Sequence, residues 1–176
     1  MQKILILALL LTLTFSCKKS SDPSPETSFN VEGNWSLDYY FSYRKQANTD
    51  PLQATLNAMP GQNVLNLKAD GTAQMINLGL DDKSFNIFTI QTIDGTWKTL
   101  NSFLFITFTK NGKVFNQKYK IIKATSTELE ISKDLSLVKE SLEDNKDALG
   151  PNTYIGLKNE FDLYTKVTLE GYFVKK

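Results

Sequence analysis

Residues 103–122 read FLFITFTKNGKVFNQKYKII, and the pair Asn111-Gly112 near their middle decides how the rest of the chain is read. Both central residues of a type I′ turn need positive φ, which Asn and Gly tolerate best, so the pair predicts a tight hairpin joining Phe103–Thr109 to Lys113–Ile122. A second stretch, LNLKADGTAQMI at 65–76, repeats the signal with Asp70-Gly71 and predicts a hairpin joining Val64–Lys68 to Thr72–Leu78. The strand Phe103–Thr109 is apolar on both sides, with Phe103 and Phe105 opposite Leu104, Ile106 and Phe108. That pattern predicts one face toward the interior and the other beneath a covering helix.

Working outward, the residues from Gly33 alternate: Trp35, Leu37, Tyr39, Phe41 and Tyr43 fall on one face, opposite Asn34, Ser36, Asp38, Ser42 and Arg44. Period two is the mark of a strand with one buried side. Further strands are expected at Phe85–Thr92, whose alternation slips at Ile87-Phe88 as a bulge would make it slip, at Gly95–Leu100 around Trp97, at Glu128–Ser132 and at Val167–Val174. Asp50-Pro51 has the chemistry of a helix start, Leu52, Leu56 and Met59 follow at helical spacing, and Pro60-Gly61 stops the run. This predicts a short helix or Ω-type loop over Pro51–Met59. A second helix is expected over Leu135–Leu149, with Leu135, Val138, Leu142 and Leu149 on one side and Gly150-Pro151 as its end. The stretch from there to Lys166 fits no single element. About eight strands at short spacing must deal with two open edges, and closure removes both. The expected fold is therefore all-β: an antiparallel up-and-down barrel of about eight strands with one or two short helices.

The first residues, MQKILILALLLTLTFSC, have another character. Lys3 precedes an apolar run from Ile4 to Leu13, interrupted only by Thr12, then small and polar residues lead to Cys17, which is the pattern of a cleavable secretory leader over 1–16. A membrane-spanning helix needs about twenty apolar residues, roughly twice this run. Cys17 is the chain's one cysteine, so no internal disulfide can form. Thr14-Phe15-Ser16-Cys17 resembles the lipobox of bacterial lipoproteins, although the usual Leu three residues before the cysteine is replaced. The resemblance implies a diacylglycerol on the Cys17 sulfur and a further acyl chain such as palmitate on its amine; ordinary cleavage at Thr14-x-Ser16 is the alternative. Residues 17–31 then form a polar, proline-bearing spacer, and 32–176 the folded domain.

Gly33-Asn34-Trp35 at the first strand, the hairpin LNLKADGTAQMI, Gly95-Thr96-Trp97, YKIIKATSTELEIS and the closing GYFVKK, taken in order, resemble the lipocalin-like lipoproteins of Bacteroidetes over Gly33 to Lys176. The resemblance implies a barrel with an interior ligand site. In lipocalins an arginine near the last strand packs over the first-strand tryptophan. Here Arg44 is the one arginine, and Lys175 and Lys176 stand at the end.

Composition excludes much. With no histidine in the chain and Cys17 at the leader's cleavage point, Ser/His/Asp and Cys/His nucleophiles and the usual zinc sites have no residues to form them. The carboxylates Asp81-Asp82 read as a polar turn, with a glycosidase pair as the sharper alternative. Glu140, Glu143, Asp144 and Asp147 read as a solvated helix face, since they do not follow the calcium-loop spacing. Twenty basic and nineteen acidic residues nearly cancel, which gives nucleic acid nothing to bind. The chain is expected to be no enzyme, to carry no cofactor or metal, to be monomeric, and to sit in the cell envelope, on the outer membrane, with its face left open. Its expected ligand is small and apolar or amphipathic, held by Trp35, Tyr39, Phe41, Leu56, Trp97, Phe103 and Phe105, with Leu52, Leu56 and Met59 lidding the mouth. The competing expectation is an accessory lipoprotein whose barrel is filled by its own side chains and which works through protein partners.

Overall fold

The computed structural model describes residues 29–58, 61–76 and 92–176. The expected leader, Cys17, most of the spacer, Met59 and Pro60, the Asp81-Asp82 pair and the strand expected from Phe85 lie outside the described residues, as does the end of the strand expected to run to Leu78.

The strands are β1 (Gly33–Gln46), β2 (Leu52–Asn57), β3 (Val64–Leu67), β4 (Thr72–Ile76), β5 (Thr92–Leu100), β6 (Phe103–Lys110), β7 (Lys113–Ala124), β8 (Glu128–Asp134) and β9 (Tyr164–Lys175). Three helical segments stand between β8 and β9: α1 (Leu135–Asp144), α2 (Lys146–Leu149) and α3 (Pro151–Asp162). Every strand from β3 to β9 pairs antiparallel with the next, and β9 pairs back onto β1 along residues 35–46, which closes the sheet. β2 and β3 lie end to end on the other edge of β1, facing Tyr39–Arg44 and Gly33–Ser36 respectively. At their junction Ala58 N donates to Asp38 O and Leu37 N to Asn63 O, both at 2.8 Å. Together they make one broken turn of the wall, so the barrel has eight positions around it and fits the lipocalin-like expectation.

The Asn111-Gly112 hairpin forms as expected, with φ of 53° and 74° at its centre. The Asp70-Gly71 hairpin forms too, but not as a type I′ turn. Only Gly71 is left-handed, and Gly71 N donates to Lys68 O at 3.0 Å, so a type I turn is followed by a glycine bulge. The third tight hairpin, Asn101-Ser102 with φ of 49° and 63°, joins β5 to β6; Ser is an uncommon residue for that conformation and gives a weak signal in sequence.

Two helix expectations are corrected. The described part of the expected Pro51–Met59 segment is a strand and not a helix or Ω loop: Leu52–Asn57 extends along the half of β1 that β3 does not reach, and pairing with that edge overrides the local capping signal. Gly150-Pro151 ends one helix and starts another, because proline at the first helical position has no missing partner to replace. The stretch left open after it is α3. α1 begins where the Asp134 carboxylate accepts from Leu137 N at 2.9 Å. The helices pack against β7, β8 and β9, so among the described residues no helix covers the outer face of β6. Instead Lys118 lies 4.8 Å from the Phe103 ring and Lys98 5.7 Å from the Phe105 ring.

Candidate functional site

The barrel interior is built from alternate residues of each strand. At the end where β1 begins and β9 ends it is solid. Trp35 is fully buried, its indole N–H donates to Val31 O at 2.8 Å, and Val31 from the entering chain is itself buried. Lys175, the register partner of Trp35, holds its ammonium 5.4 Å from the indole ring. A lysine thus stands over the first-strand tryptophan where the lipocalin resemblance implied an arginine. Leu37, Leu65, Leu67, Met75 and Leu104 surround this end with exposures of 2% or less, which leaves no water-sized void against them. Trp97 is tied in by its indole N–H to Lys68 O and by its backbone N–H to Gly71 O, both at 2.8 Å. Two residues earlier, a side chain on Gly95 would start 2.3 Å from Thr107 O. The glycine is there because β6 approaches too closely for anything larger.

The register of β1 against β9 shifts between Leu37 and Tyr39. This bulge at Asp38 turns every later residue of β1 to the other side. Tyr40, 1% exposed, takes the inward place expected of Tyr39, and Ser42 and Arg44 follow it. Tyr39 and Phe41 face outward instead. The Tyr39 ring stacks on Tyr172 at 4.1 Å, and Phe41 pairs with Glu170 on the same outer wall. Phe103 and Phe105 also face outward, because Leu104, Ile106 and Phe108 are the buried set of β6. Of the seven residues expected to line a ligand, the structure puts Trp35, Trp97 and Leu56 on the inner face and Tyr39, Phe41, Phe103 and Phe105 on the outer one.

Beyond the bulge the interior changes character. Leu52, Ala54 and Leu56 pair across from Arg44, Ser42 and Tyr40 and so share their inward face, yet Leu52 is 68% and Leu56 41% exposed. The inward residues of β3, β4 and β8 are all buried. Arg44 lies beside the Tyr40 hydroxyl and 3.9 Å from Glu160 of α3. It lines a cavity of about 200 Å3 with Gln46, Thr49, Asp50, Leu52 and Tyr164. Burial pushes the Tyr40 hydroxyl up to about 12, with the guanidinium holding it back from going further. Tyr40 and Arg44 were missed in sequence. The signal that could have found them is the Tyr39-Tyr40 doublet, which puts one ring inward in either register.

The three helices roof the same end. Leu137, Val138, Leu142, Leu157 and Phe161 join the barrel core from above. Buried Lys133, the last inward residue of β8, donates to Gln117 Oε1 and, at 3.1 Å, to Ser141 Oγ of α1, with its ammonium 4.6 Å from the Tyr119 ring. Asn145 both accepts from Asn116 N and donates to Asn116 O, each at 2.7 Å, in the manner of a strand partner. These bonds fix the roof to β7. The helix carboxylates have separate uses: Glu140 pairs with Lys118 at 2.8 Å and Glu143 accepts from the Tyr154 hydroxyl at 2.6 Å.

A second hollow, of about 240 Å3, lies on the outer wall between Asp38, Tyr39, Lys123, Glu128, Glu130 and Tyr172. Partial burial, then the neighbouring Glu170, raises the Glu130 carboxyl above its ordinary range; burial, then the hydrogen bond to Glu170, raises the Tyr172 hydroxyl. Among the described residues no helix is long and apolar enough to cross a membrane.

No family model and no curated protein match the chain. Among solved structures it is similar to a polyisoprenoid-binding domain from Saccharophagus degradans implicated in plant cell wall breakdown. The identity is 12%, over 81% of this chain and 98% of that one, with a TM-score of 0.34. A likeness of that size says nothing about what this barrel holds.

Proposed function

We propose that the chain is a membrane-anchored, non-catalytic binding lipoprotein of the cell envelope, held to the outer membrane by acyl chains on Cys17, whose barrel takes a small apolar or amphipathic ligand at its β2 end. One observation carries the binding reading: Leu52 and Leu56 face inward and yet stay exposed, in a barrel whose opposite end is packed shut. Covering two leucines of this exposure contributes roughly 1 to 3 kcal/mol, enough to favour a guest but not to hold it alone. The acyl anchor adds about 0.8 kcal/mol per buried methylene, so two or three chains hold the domain firmly.

Titration of the protein with a panel of fatty acids, retinoids and environment-sensitive dyes, followed by tryptophan fluorescence, tests the binding reading. Saturable quenching that weakens in Leu56→Asp supports it. The accessory reading, favoured by the solid packing around Trp35, predicts no response to any apolar ligand. Detergent partitioning of wild type and Cys17→Ser tests the anchor: wild type goes to the detergent phase and the variant does not, and two soluble proteins would end the lipoprotein reading.

A further inference from the structure

The up-and-down order brings the end of β5, the start of β6 and the end of β7 to the end of the barrel where β1 begins. There the outer wall carries an exposed apolar cluster. Leu100, 53% exposed, pairs with the partly exposed Phe103, and Phe105 continues the row along β6. Ile122, 44% exposed, stands beside the Asn101-Ser102 turn, since Ile121 N donates to Ser102 O at 2.9 Å. Lysines border the cluster in register: Lys120 opposite Phe103, and Lys98 and Lys118 on either side of Phe105. Lys118 is paired with Glu140, whereas Lys98 and Lys120 have no carboxylate partner among the described residues. Residues 77–91 join the barrel at Ile76 and Thr92, at its other end.

Resting on the acyl anchor proposed above, we propose that this face lies against the bilayer that holds the anchor, with Leu100, Phe103 and Ile122 in the interface and Lys98 and Lys120 on anionic headgroups. The point where the chain enters the barrel argues for a bilayer as the occupant. Phe29 and Val31 join the core at this same end, and the eleven residues 18–28 that separate Phe29 from Cys17 reach at most about 40 Å when fully extended. A tether of that length keeps the end bearing the cluster near the surface and holds the helix-roofed end away from it. Aromatic and aliphatic side chains at headgroup level, with lysines extending past them to phosphates, are the chemistry of an interfacial contact. Each lysine near an anionic surface strengthens such a contact about fivefold. That is too little to bring a free protein to a membrane, and enough to orient one already tethered.

The mature lipoprotein, reconstituted in vesicles of phosphatidylcholine with or without phosphatidylglycerol, tests the contact. With the Cys17 sulfur acylated, Leu100→Cys, Ile122→Cys and Val114→Cys each carry one free thiol for a nitrobenzoxadiazole label. Val114, 55% exposed at the far end of β7, is the control. Labels at 100 and 122 should shift to the blue in vesicles containing phosphatidylglycerol and be quenched by spin labels near the headgroups, and the label at 114 should do neither. Lys98→Gln with Lys120→Gln should weaken the face-down state by up to about 25-fold and return the shift toward its value in phosphatidylcholine alone. Labels at 100 and 122 as wet as the one at 114, in a protein that partitions into detergent, overturn the contact and leave the anchor in place; equal shifts at all three positions overturn it as well. A shift without lipid that grows with protein concentration assigns the face to a second copy and overturns the bilayer as its occupant. A shift indifferent both to phosphatidylglycerol and to the lysine variant overturns the part given to the lysines. Failure of the wild type to enter the detergent phase overturns the anchor and the inference with it.

Discussion

Trp35 and Tyr40 sit on one strand, both almost fully buried and both facing inward, yet they belong to two different kinds of barrel. Around Trp35 the wall is continuous, since β3 is backed by β4 and the entering chain plugs the end through Val31. Around Tyr40 the facing strand is β2, which pairs with β1 alone among the described strands and leaves its leucines exposed. One bulged residue, Asp38, separates the two regimes. The Trp35 end is packed by the strands themselves and makes the barrel stable, while at the helix-roofed end the exposed leucines of β2 are where surface is left for a guest.

The largest effect expected from this difference is on stability. Trp35→Ala should lose about 3 to 5 kcal/mol in urea unfolding, whereas Leu56→Ala, whose side chain is already in water, should lose less than about 1 kcal/mol. Comparable losses would break the comparison.

Next in size is a pH effect from Tyr40. Its hydroxyl is raised from 10.0 to about 12 by burial, so the folded state keeps the proton where the unfolded state gives it up. Stability from this group is present below pH 10 and lost between pH 10 and about 12, by roughly 2 to 3 kcal/mol. Tyr40→Phe should flatten the alkaline limb of a stability profile over that window; an unchanged limb would mean that the ring is not held in an apolar site.

Two glycines sharpen the picture further. Gly95→Ala, whose added carbon would start 2.3 Å from Thr107 O, should lower the urea midpoint by the equivalent of about 1 to 3 kcal/mol. Gly156→Ala, in α3 with nothing within 4 Å of the new carbon, should raise stability by about 0.5 to 1 kcal/mol. A neutral Gly95→Ala would show that the packed wall can shift apart.

The elements legible in sequence are those set by local chemistry. Asn111-Gly112 and Asp70-Gly71 each made a hairpin because the residues that permit a tight turn sat between two alternating runs, and eight such strands had to close. The inward place of Trp35 was legible from the alternation of the first strand. What could not be read depends on partners distant in sequence. The bulge at Asp38 hides in Tyr39-Tyr40, where either ring suits the interior, and with it went the inward places of Tyr40 and Arg44. Asp50-Pro51 is as good a start for a helix as a lead into a strand, and only the vacant edge of β1 beyond β3 decides between them. Phe103 and Phe105 looked interior because they are aromatic; in the barrel they shield the outer wall beneath Lys98 and Lys118.

The contrast between the ends can be measured directly by thiol labelling, because Cys17 is the one natural cysteine. In a Cys17→Ser background, Leu56→Cys and Leu65→Cys place a thiol on the inward face along β2 and around Trp35 respectively. Leu56→Cys should react with a bulky maleimide in the native state nearly as fast as a free thiol, and saturating dodecanoate should slow it. Leu65→Cys, at a position 2% exposed in the wild type, should react only as the barrel unfolds. Equal labelling at both sites, or labelling of Leu56→Cys that no lipid slows, would contradict a barrel solid around Trp35 and accessible to a guest along β2.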